Sequence, residues 1–100
     1  MKILVIDDNS AFRYSLAGAL GRGGYQVVMA DDGEHGLALF RKEQPDLVIC
    51  DLIMPRRNGV DTIQQIRRES PAMKIIAISG NSFAMNVDGL ATALKAAPTM

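Results

Sequence analysis

The chain has 100 residues, 48% hydrophobic and 22% charged, which is ordinary globular composition and too short for a second domain. Eleven Lys and Arg balance eleven Asp and Glu, so no overall field draws the chain to nucleic acid or an anionic membrane. One cysteine, Cys50, excludes an internal disulfide and a zinc cluster, and 5% aromatic residues without tryptophan leave little for stacking bases. No apolar run approaches the roughly 20 residues of a membrane span. The chain opens on a strand-like run instead of a signal peptide, so a cytoplasmic location is expected.

Ile3-Leu4-Val5-Ile6 is a continuous apolar run ending abruptly in Asp7-Asp8, the pattern of a strand buried on both faces. Asn9-Ser10 starts a helix marked by Phe12, Leu16, Ala19 and Leu20, which Gly21-Arg22-Gly23-Gly24 stops. Tyr25 to Ala30 is rich in β-formers, and Asp31-Asp32-Gly33 turns the chain into a second helix carrying Leu37 and Phe40 and ending before Pro45. Leu47-Val48-Ile49-Cys50 forms a third strand closed by Asp51, followed by a Pro/Gly loop and a third helix with Val60, Ile63 and Ile66 on one face. Ile75 to Ile78 is a fourth strand, closed by Ser79-Gly80-Asn81-Ser82. Val87, Leu90, Ala91 and Leu94 mark a fourth helix stopping before Pro98. Strict strand-helix alternation, with strands that are apolar throughout, predicts an α/β fold: an open, doubly wound parallel sheet with helices on both faces. Right-handed crossovers place the first strand centrally, beside the third.

In such sheets the binding crevice lies beyond the carboxyl ends of the strands, where strand order reverses. Asp7 and Asp8 close the first strand and Asp51 the third, so neighbouring strands about 4.8 Å apart bring three carboxylates together. Their repulsion calls for a cation, and oxygen ligands in so small a set suit Mg²⁺, which keeps waters and leaves room for a phosphate oxygen. A carboxylate beside that ion can attack a phosphoryl group, and Asp51 is the best-placed nucleophile. Ser79, closing the fourth strand, is placed to donate its hydroxyl to the transferred group.

Ile6-Asp7-Asp8, then Asp51-Leu52-Ile53-Met54-Pro55 with Asn58-Gly59, then Ser79-Gly80, in that order on matching elements, resemble a response regulator receiver domain. The resemblance covers residues 1–100. It implies a flavodoxin-like receiver fold with strand order 2-1-3-4, and an Asp51 that accepts phosphate from a sensor histidine kinase or phosphotransfer protein. It further implies Mg²⁺ held by Asp7, Asp8, Asp51 and the Ile53 carbonyl, with Ser79 contacting the phosphoryl group. Receiver domains also carry a fifth strand bearing a Lys, and a fifth helix, and this chain is expected to stop short of both. Lys2, Lys74 and Lys95 do not fit that Lys. Ile75-Ile76-Ala77-Ile78 would then be an apolar edge open to a second copy, giving a homodimer.

Other readings compete with this one. A haloacid dehalogenase-like phosphatase needs a second Asp two places after its nucleophile, and neither Asp8-Asn9-Ser10 nor Asp51-Leu52-Ile53 supplies it. A receiver-like interaction module with an impaired switch is the alternative that the missing Lys favours. Taken alone, Asp7-Asp8 is a helix-capping turn and Ser79 a turn hydroxyl. Arg56-Arg57 and Arg67-Arg68 read as solvated faces, so no nucleic-acid contact by this stretch is expected. His35 reads as solvated, and Cys50 as a small buried hydrophobe turned away from the crevice.

Overall fold

The computed structural model describes residues 1–52, 54 and 59–78. Four parallel strands, β1 (Lys2–Ile6), β2 (Gln26–Ala30), β3 (Leu47–Asp51) and β4 (Lys74–Ile78), form one sheet in the order β2-β1-β3-β4. The connecting helices are α1 (Ser10–Arg22), α2 (Gly33–Glu43) and α3 (Gly59–Glu69). Among these helices none is long and apolar enough to cross a membrane. The expected fourth helix lies outside the described residues.

Alternation along the strands divides the core into two layers. Ile3, Val5, Leu47 and Ile49 pack with Leu16, Ala19 and Leu20 of α1 on one face. Leu4, Ile6, Val48 and Cys50 pack with Leu37 and Phe40 of α2 and Ile66 of α3 on the other. Both faces of β1 and β3 are therefore covered, which is why these strands read as unbroken apolar runs. Among the described residues the outer strands β2 and β4 are less buried, and Ala77 is exposed.

Three details differ from expectation. α1 runs through Gly21 and Arg22 and ends at Gly23, and Gly24 takes the positive φ of +91° that a residue without Cβ adopts freely. Tyr25 precedes β2 and packs on the α1 layer. On α3, Val60 is 42% exposed, while Thr62 and Ile66, four residues apart on one face, are fully buried.

Candidate functional site

The site stands at the carboxyl ends of the two central strands. Because β1 and β3 are paired with Ile6 opposite Cys50, Asp7, just past β1, and Asp51, the last residue of β3, follow side by side. Backbone bonds continue past both strand ends: the Asp7 amide donates to the Ala30 carbonyl at 3.1 Å, and the Leu52 amide to the Ile78 carbonyl at 2.7 Å. Each of Asp7, Asp8 and Asp51 offers a carboxylate oxygen, and these atoms lie within 4.8 Å of one another. Asp7 and Asp51 are buried, and Asp8 is exposed.

The turn after β1 is tied down locally. The Asn9 amide donates to Asp7 Oδ1 at 2.8 Å, and the Asn9 side chain caps α1 by accepting from the Phe12 amide at 3.0 Å. Asp51 is held from the other side by α3. A Cβ on Gly59 would lie 1.8 Å from the Asp51 carbonyl oxygen, and the Gly59 amide donates to the Leu52 carbonyl at 3.0 Å. Only a glycine lets the helix start this close to the strand end.

Burial and crowding make the cluster electrostatically costly. Desolvation, reinforced by the charges of Asp51 and Asp8, pushes the Asp7 carboxyl up to about 6, although the Asn9 amide and Arg13 act the other way. Burial, with Asp51 and Asp7 nearby, pushes the Cys50 thiol up to about 12, so it behaves as the inert hydrophobe expected of it. His35 is an exposed residue whose ring nitrogen lies 3.2 Å from Asp31.

The donor set fits a small hard cation. All three groups are carboxylates, and oxygens bound to one Mg²⁺ at about 2.1 Å are up to about 4.2 Å apart, close to the spread found here. The other residues assigned from sequence, Ile53 and Ser79, lie outside the described residues, as do Pro55 and Asn58.

Sequence reasoning overlooked Arg13. Its Nη1 donates to the Asp7 carbonyl at 2.7 Å, and its guanidinium lies over the Tyr14 ring, 5.3 Å from the centroid. The available signal was its place one turn beyond the Asn9 cap, on the helix end that faces the aspartates.

A family model described as response regulator receiver domain matches residues 3–96. A probable transcriptional regulator, ycf27, of Porphyridium aerugineum is 44% identical over 80 residues, covering 78% of this chain and 33% of that protein. A receiver domain protein from Clostridium thermocellum superimposes with a TM-score of 0.84 at 26% identity, over 95% of this chain and 91% of that one. The response regulator TrrA from Thermotoga maritima, solved in complex with Mg²⁺-BeF, gives a TM-score of 0.77 at 36% identity, over 81% of this chain and 70% of that one. The chain spans about a third of the length of the first of these curated relatives. By its sequence and its fold, this chain belongs to the response regulator receiver domains of two-component systems.

Proposed function

We propose that residues 1–100 form a phosphoacceptor switch in which Asp51 takes a phosphoryl group from a phosphohistidine on a sensor kinase or phosphotransfer protein. An Asp51 carboxylate oxygen forms a bond to phosphorus as the bond from phosphorus to the donor imidazole nitrogen breaks, and the bonding pair leaves with the imidazole. Asp7, Asp8 and Asp51, with the Ile53 carbonyl, would hold Mg²⁺. When bound, that ion offsets the negative charge of the carboxylates and the incoming phosphoryl oxygens. Ser79 would donate a hydrogen bond to the transferred group.

The observation that carries this reading is the convergence of three carboxylate oxygens within 4.8 Å at adjacent strand ends. Without a cation, burial and the neighbouring charges disfavour the ionised form of Asp7 in that arrangement. The relative solved with Mg²⁺-BeF supports the choice of metal. Such a switch works in the cytoplasm, where its donor is found. In relatives named as transcriptional regulators the matched stretch covers about a third of the chain, and in this reading it is their switch and not their DNA reader. Self-pairing along β4, the outermost strand among the described residues, is a secondary proposal, which sedimentation across a concentration series tests.

Intact-mass spectrometry after incubation with a small phosphodonor and Mg²⁺ tests the main reading. A single phosphoryl adduct is expected on the wild type and none on Asp51→Asn. An unmodified wild type would leave the chain as a receiver-like interaction module.

A further inference from the structure

Arg13 acts on the site without belonging to the acidic cluster. Its guanidinium bonds to the carbonyl of Asp7, which is half of the peptide plane joining Asp7 to Asp8. That plane sets the direction in which the Asp8 side chain leaves the backbone. Asp7 is otherwise fixed through its own amide on Ala30 and through the Asn9 amide on its carboxylate. Asp8 is exposed, unlike its two buried partners. The Tyr14 ring, 61% exposed, lies beside the guanidinium and favours this placement by a cation-π contact. The Arg13 amide bonds to the Asn9 carbonyl at 2.9 Å, so the same residue closes the first turn of α1 and anchors it to the end of β1.

We infer that Arg13 is a positioning residue for the divalent cation: by clamping the Asp7–Asp8 peptide it presents the Asp8 carboxylate to the ion. The inference rests on the reading of Asp7, Asp8 and Asp51 as the magnesium site. Two physical effects of Arg13 oppose each other, which makes the inference decidable. As a nearby positive charge, Arg13 repels a cation, so its neutralisation alone would tighten Mg²⁺ binding. As a clamp, it preorganises a ligand, and loss of such outer support typically weakens metal binding about 10- to 100-fold. Clamping is the larger effect.

The test is an NMR chemical-shift titration of the intact chain with Mg²⁺, comparing wild type, Arg13→Met and Arg13→Lys. Arg13→Met keeps the aliphatic stem but removes charge and donor, and is expected to weaken Mg²⁺ binding about tenfold. Its amide shifts in β3, β4 and α3 should remain those of the wild type. Arg13→Lys, which restores a donor able to reach the carbonyl, is expected to recover part of the affinity, a rescue that a general folding defect would not give. Unchanged or tighter binding by Arg13→Met would overturn the clamp and leave the metal site standing. Absence of Mg²⁺-dependent shifts in the wild type would overturn both.

Discussion

Two carboxylates of this chain, Asp7 and Glu69, have been given opposite surroundings. Glu69, at the end of α3, accepts from Arg41 Nη2 at 2.6 Å and Nε at 3.0 Å and from Gln65 at 3.0 Å. The Arg41 bonds first, and Gln65 second, hold its carboxyl down at about 2. Asp7, buried beside Asp8 and Asp51, is pushed up to about 6 by desolvation first and like charge second. Near the amino ends of the strands the pattern of Glu69 repeats: Asp46 accepts from the Lys2 amide at 2.8 Å, and Glu43 pairs with the Lys2 ammonium at 3.2 Å. Carboxylates that serve the fold are met by donors where they stand. At the carboxyl ends of β1 and β3 Asp7 is gathered with two like charges, at a cost that a bound cation would relieve.

The sharpest way to break the crowded end is Gly59→Ala. Its Cβ would overlap the Asp51 carbonyl, with the Leu52 Cα only 2.7 Å away, and backbone on both sides cannot yield as a flexible side chain would. A loss of about 3 kcal/mol in urea unfolding is expected. Wild-type stability in this variant would mean that α3 does not press on β3 as described.

Asp7→Asn should have the opposite sign. In Mg²⁺-free buffer at neutral pH it is expected to stabilise the chain by about 2 kcal/mol, because it removes a charge that burial disfavours. The pH dependence follows from the same shift. A folded-state value above the unfolded 3.8 means that the native chain holds the proton more tightly, so wild-type stability falls as pH rises from about 4 through 6. The gap between variant and wild type should open over that interval and stay constant above it. A gap that closes with rising pH would contradict the assigned crowding.

Glu69→Gln should have the smallest effect. Its pair lies at the surface, where solvent and salt screen it, so little change is expected at neutral pH. Its pH sign is the reverse of Asp7's: a carboxyl lowered from 4.5 to about 2 contributes above that interval and loses its contribution as pH falls through it. On acidification both variants should therefore converge on wild type, Asp7→Asn from the more stable side and Glu69→Gln from the slightly less stable side.

Much of this was legible in the sequence, for reasons that the structure makes plain. Strands covered on both faces leave unbroken apolar runs, and a parallel sheet sends consecutive strand ends to the same rim, so Asp7, Asp8 and Asp51 could be placed together from their positions after Ile6 and Cys50. What escaped was set by close approach and not by pattern. Arg13 meets Asp7 only because the Asn9 cap fixes how α1 leaves the sheet. Val60 shares an apolar face with Ile63 and Ile66 by spacing, yet it is 42% exposed, while Thr62 fills the inward position with a residue that hydropathy overlooks. Gly59 was quoted for its place in a motif, whereas its need is steric, from the Asp51 carbonyl beneath it.

The central claim is that Asp7, Asp8 and Asp51 act together on one divalent ion, and titration calorimetry with Mg²⁺ measures that directly. One ion bound per chain at millimolar concentration, with binding lost in Asp8→Asn, is the predicted result. No saturable heat in the wild type, or undiminished binding by Asp8→Asn, would contradict it.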